Sequence, residues 1–110
     1  MPPIVATLIY LYPQNTQVIE IDGLQDQLTG DFLNIATVQA TLVDQRGNPD
    51  PVLNDIAMTY VPGSNGNYQG VVPFAFNAPL GSGYRLQIQA DQSGVQAFWS
   101  IPAQVVLRTQ

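Results

Sequence analysis

Polar and apolar residues alternate with a period of two through most of this chain, and clusters of Gly, Pro, Asn and Asp separate the alternating runs. The clearest run puts Tyr84, Leu86, Ile88 and Ala90 on one face and Arg85, Gln87 and Gln89 on the other. Such patterning suits a strand with one buried and one wet face. Ile4–Tyr12 is rich in β-branched and aromatic residues and is expected to be extended. Gln17–Ile21 sets Ile19 and Ile21 against Val18 and Glu20, and stops at Asp22-Gly23. Val38, Ala40 and Leu42 face the core from Ala36–Val43, and Ile56, Met58 and Tyr60 form the next inward stripe. Pro62–Asn67, with Asn65-Gly66 at its tip, predicts a hairpin into Tyr68–Pro73. Asp91–Gly94 turns the chain into Ala97–Leu107, where Trp99, Ile101, Ala103 and Val105 alternate. Pro102 within that run predicts an edge strand or a bulge. No helix of useful length is expected; Leu24–Asn34 has room for a short turn at most.

Short strands divided by turn clusters predict an antiparallel β-sandwich. Tyr84 precedes Leu86 by two residues, the spacing of the tyrosine corner in immunoglobulin-like sandwiches, where the hydroxyl bonds nearby backbone. The expected architecture is therefore all-β: an immunoglobulin-like antiparallel β-sandwich over residues 17–110, with an additional N-terminal strand or arm over 1–16. That arm is a candidate either for exchange with a neighbour or for the first strand of its own sandwich.

Composition narrows the chemistry. The 110 residues fit one domain, and charged residues make up only 10%, against about 25% in an average domain. Three arginines, no lysine and eight acids give a charge of −5, which argues against nucleic-acid and polybasic membrane contacts. The run Ile4–Leu11 is too short to span a bilayer and has no basic residues before it, so neither a leader nor a membrane helix is expected. Without His, Cys or Lys, the commonest general base and two nucleophile classes are missing, so no catalytic residue, metal or cofactor is expected.

Five of the eight acids fall in arrangements that could carry chemistry. Glu20 and Asp22 share a face, but a glycosidase pair needs two carboxylates about 5–10 Å apart across a sugar cleft. Solvated charges at a strand end are the simpler reading. Asp44, Asp50 and Asp55 surround a loop whose spacing matches no calcium-binding register, and turn capping accounts for them. Phe98 and Trp99 point to opposite faces, so one belongs to the core and the other serves as an interface anchor or a sugar platform.

The wet faces carry Thr37, Gln39, Thr41, Thr59, Gln87 and Gln89, nearly all neutral. Natural sheets usually guard their edges with lysine or inward-pointing charge, and this chain has few such guards. Edges left this way suit burial against a second copy or a larger assembly.

Three stretches together resemble small structural proteins of tailed bacteriophages. They are VIEIDGL (18–24) running into NIATVQATL (34–42), MTYVPGSNGNYQG (58–70), and GYRLQIQADQSGVQAFWSIPA (83–103). The resemblance implies a virion component without enzymatic activity. Its leading role is a capsid cement or decoration subunit on the head surface, a homo-oligomer with a trimer favoured, touching the major capsid protein or other virion proteins. The alternative is a head–tail connector or tail-associated module binding a host glycan or protein, with Asn65, Asn67, Tyr68 and Trp99 as a recognition cluster. For the leading role, Ile4, Leu8, Tyr10 and Tyr12 are the expected interface residues, with Phe98 or Trp99 as anchor. Size-exclusion with light scattering at micromolar concentration should show a species larger than the 11.9 kDa monomer. A monodisperse monomer excludes self-assembly.

Overall fold

The computed structural model describes residues 8–26 and 28–107, with Val95 described by its backbone alone. Its seven strands are β1 (Ile9–Leu11), β2 (Gln17–Ile21), β3 (Thr37–Val43), β4 (Ile56–Tyr60), β5 (Tyr68–Val72), β6 (Gly81–Gln92) and β7 (Val95–Val105). They pair in the order β1-β7-β6-β3-β4-β5-β2, and no helix forms among the described residues. The molecule is all-β. Each alternating run becomes a strand with its apolar set inside: Ile19 and Ile21, Val38 with Ala40 and Leu42, Leu86 with Ile88 and Ala90, and Ile101 with Ala103 and Val105 are all buried.

One strand serves two parts of the sheet. The first half of β4 pairs with β3, Met58 opposite Val38 and Ile56 opposite Ala40, while Thr59 and Tyr60 pair with Gln69 and Tyr68 of β5. This handover curls the sheet around a single core, close to a barrel.

The expectation of a purely antiparallel arrangement needs correction. β1 runs parallel to β7, with Ile9, Tyr10 and Leu11 opposite Ala103, Gln104 and Val105. No hairpin joins the first strand to the last, so nothing forces the antiparallel sense. Leu11 is fully buried, so part of stretch 1–16 belongs to the core. Residues 1–7, Ile4 among them, lie outside the described residues. Between β1 and β2 the Gln17 amide takes the place of a ladder rung: it donates to the Tyr10 carbonyl (2.7 Å) and accepts from the Tyr12 N–H (3.2 Å).

Pro102 does not make β7 outermost, because β1 covers its far side from Ala103 onward. Pro102 itself sits in regular register opposite Arg85, and the irregularity falls across the ladder between Gly81 and Tyr84 of β6. Proline's missing N–H thus lies one residue before the β1 pairing begins. Ser93 and Gly94, both at positive φ (51° and 85°), close the β6–β7 hairpin, as a two-residue turn matched to strand twist requires.

Several loop residues complete the core. Leu24, Leu33, Leu53 and Phe76 are buried although none lies in an alternating run. Tyr68 fastens one of these segments. Its ring is 1% exposed and meets Tyr60 edge-on at 5.6 Å, while its hydroxyl donates to the Leu33 carbonyl (2.7 Å) and accepts from the Ala36 N–H (2.9 Å). The β4–β5 hairpin tip docks beside them: Leu24 N–H donates to the Gly66 carbonyl, and a Cβ on Gly66 would lie 2.5 Å from Leu24 backbone atoms. The Tyr84 hydroxyl donates to the Pro79 carbonyl at 2.7 Å, fixing the approach to β6.

Tyr68→Phe should therefore lower stability by about 1–3 kcal/mol, because two backbone groups lose their shared partner. Denaturation monitored by Trp99 fluorescence measures it, and an unchanged midpoint would show that the loop is held by packing alone.

Candidate functional site

The register of three adjacent strands composes the outward face of β3, β6 and β7. Gln39 lies opposite Gln89, and Gln89 opposite Phe98, with Ala57 of β4 extending the row. Parallel rows flank it: Thr37, Asp91 and Gln96 on one side, Thr41, Gln87 and Ser100 on the other, then Val43, Arg85 and Pro102. Side chains directly opposite in such ladders stand about 5 Å apart, so each row is a contiguous strip.

Two hollows share the middle row. One, of about 490 Å³, lies over Thr37, Gln39, Gln89, Asp91, Gln96 and Phe98. The other, of about 280 Å³, continues past Thr41 and Gln87 to a wall made by Gly47, Pro49, Asn54 and Asp55. Thr41 holds that wall in place, since its hydroxyl accepts from the Asp55 N–H at 2.9 Å. Phe98 borders both hollows and is 58% exposed. The Arg85 guanidinium is committed to Ser100, donating to its hydroxyl and to its carbonyl oxygen. Asp91 and Arg85 are the only charged residues in the four rows, so the face is close to neutral.

The side chains of several glutamines elsewhere bond within the fold, while those of Gln14, Gln25 and Gln104, like those of this face, do not. Gln17, Gln45, Gln69 and Gln92 each engage their side chain in the fold, with Tyr10 and Tyr12, Ser82, Glu20 and Ile35 respectively. The amides of Gln39, Gln87, Gln89 and Gln96 bond to no described residue.

The residues expected to form an interface fall in two places. Leu8 (41% exposed) and Tyr10 (49%) lie at β1, and Tyr12 beside them is half-buried. Trp99 packs against the core, so of the aromatic pair only Phe98 offers its ring to solvent. Of the recognition residues expected on the hairpin, Asn65 is exposed. Tyr68 is buried, and the Asn67 side-chain oxygen accepts from the Gly23 N–H at 3.0 Å.

The loop acids cap backbone. Asp44 accepts from the Arg46 and Asn48 N–H groups, and Asp50 from those of Val52 and Leu53. These bonds, Asn48's first, hold the Asp44 carboxyl below its usual range. No group of three metal-ligating side chains gathers among the described residues. Glu20 on β2 and Asp22 just after it lie side by side and do not confront each other across a cleft. Asp22 shares a hydrogen bond with Glu20, which pushes its carboxyl up from 3.8 to about 6, helped by partial burial and by Glu20's charge. The same bond, with a second from Gln69 (2.6 Å), lowers Glu20. Below about pH 6 Asp22 is the member of the pair that carries the proton.

Set against known protein families, curated proteins and solved structures, the chain finds no match in any of the three.

A carboxyl whose pKa rises on folding stabilises the fold below its unfolded value and loses that contribution as pH climbs through the folded one. For Asp22 the loss spans pH 3.8 to about 6. The thermal midpoint should therefore fall between about pH 4.5 and pH 7, a window where the chain has no histidine to titrate. Asp22→Asn should flatten the slope, and a slope unchanged in that variant rejects the raised Asp22 pKa.

Proposed function

We propose that this chain is a structural subunit of a tailed-phage virion, a cement or decoration protein that stabilises the head by contact and without catalysis. The single observation that carries the contact role is the apolar surface. Eleven large apolar or aromatic side chains among the described residues are at least 40% exposed, including Leu28, Ile35, Phe74, Phe98 and Leu107, in a chain with only 10% charged residues. Scattered apolar residues are normal on a protein surface, but Val18 and Val71 lie directly opposite each other on one sheet face, both more than half exposed. Burial against a shell would cover such pairs. Several modest contacts in a homotrimer add through effective concentration, so none needs to be strong.

An immunoglobulin-like sandwich is the finer fold reading that accompanies this role. It is supported by the Tyr84–Pro79 bond and by the grouping of β1-β7-β6-β3 and β5-β2 on either side of the shared strand β4. The phage assignment rests on the three stretches quoted above. A second reading, a tail-associated module that recognises a host glycan or protein, is favoured by one feature: the neutral face around Phe98 with its unengaged amides.

Copy number per particle separates the two, with hundreds expected for cement and a handful for a tail module. Removing residues 1–12 would also remove buried Leu11, so point variants test the β1 surface more cleanly. Leu8→Ala with Tyr10→Ala should cut occupancy on the particle several-fold and leave the denaturation midpoint within about 0.5 kcal/mol of the parent. Full occupancy by the double variant rejects β1 as the docking surface.

A further inference from the structure

We infer that the outward face of β3, β6 and β7 is a binding site for a neutral oligosaccharide, with Phe98 as the stacking platform and Gln39, Gln87 and Gln89 as the hydrogen-bonding groups. The inference rests on the recognition reading above and gives it a place and a ligand class.

Three observations select a sugar. The first is hydrogen-bonding capacity. Each glutamine amide offers two donors and an acceptor with two lone pairs, which is what a hydroxyl-rich ligand needs, since every sugar hydroxyl both donates and accepts. Amides already bonded within the fold would have to break those bonds; the ones on this face are unengaged, and those of Gln17, Gln45, Gln69 and Gln92 are not.

The second is charge. Arg85 is already bonded to Ser100, and the charges that line the hollows are acidic, Asp91 in the larger and Asp55 in the wall of the smaller. No cationic cluster is present to hold a phosphate, sulfate or carboxylate ligand, which would call for paired Arg or Lys donors. A neutral ligand loses little here.

The third is shape. The hollows of about 490 and 280 Å³ adjoin along the Gln39–Gln89–Phe98 row, so the exposed ring stands between two places for successive residues of a linear chain. A ring in that position covers the apolar C–H face of a pyranose, while amides along the row reach its hydroxyl rim. A protein partner is a poorer fit. The core of a protein interface is mostly apolar and relies on several aromatic or Arg anchors, whereas this face offers one aromatic amid amides and hydroxyls.

Titration of the isotope-labelled full chain with chitotriose, cellotriose and maltotriose, followed by amide NMR, tests the site. At least one sugar should give saturable shifts at about 1–10 mM, centred on Gln39, Gln89 and Phe98. Phe98→Ala should weaken that binding about tenfold or more, Phe98→Tyr should retain it, and neither should alter the dispersion of the core resonances. A polyanionic control, heparin tetrasaccharide, should give no shift at these residues.

Absence of shifts with all three neutral sugars, or equal affinity in Phe98→Ala, overturns the assignment. The wider recognition reading is then decided separately, by adsorption of purified protein to host cell envelopes. Adsorption lost in Phe98→Ala without any sugar response leaves that reading standing with a protein ligand, and adsorption indifferent to Phe98 removes it from this face.

Discussion

Seven consecutive residue pairs join β3 to β6, from Thr37 opposite Asp91 to Val43 opposite Arg85, and both the core and the outward face depend on that register. A slip of one residue would carry Val38, Ala40 and Leu42 into water and press Gln39 and Thr41 into the interior. Burying an unpaired amide costs several kcal/mol on apolar transfer scales, so the alternative pairing is strongly disfavoured. The alternation that builds the inside therefore also lines up Gln39, Gln89 and Phe98 on the outside. Core and candidate site are two sides of one constraint.

Charge contributes little to this architecture. Asp44 and Asp50 accept from turn N–H groups nearby, and Glu20 accepts from Gln69 on the neighbouring strand. The long loops are held instead by neutral side chains bonded to distant backbone. Gln17 joins β1 to β2, Asn34 accepts from Gly66, Asn67 from Gly23, and Tyr68 reaches Leu33 and Ala36. Bonds of this kind depend weakly on salt, so shape is retained where surface ion pairs would be screened.

Much of the fold was legible because the signal is local. Period-two alternation located five of the strands within a few residues, Gln17–Ile21 and Ile56–Tyr60 among them, the Asn65-Gly66 turn signal located a sixth, and the alternation put Trp99 on the same side as Ile101. What could not be read depends on distant partners. Nothing in Ile9–Leu11 announces parallel pairing with Ala103–Val105, and Leu24, Leu33, Leu53 and Phe76 enter the core from loops with no periodicity to mark them. Tyr68 looked available on a hairpin because its burial is made by the 24–36 segment folding over it. The candidate face is half visible: the alternation turns Gln39, Gln87 and Gln89 outward but leaves open which of Phe98 and Trp99 meets water, and only the β3–β6–β7 register sets Gln39, Gln89 and Phe98 in one row.

The parallel pair β1–β7 joins a strand near one end of the chain to a strand near the other. Tension applied between the two chain ends would pull these strands lengthwise past each other. The rungs opposite Ala103, Gln104 and Val105, together with the bond from the Val106 N–H to the Leu11 carbonyl, would then be loaded together instead of peeling open one at a time. Shear geometry of that kind turns a three-residue strand into a mechanical latch, and gives the shortest strand of the molecule a disproportionate share of its resistance to force.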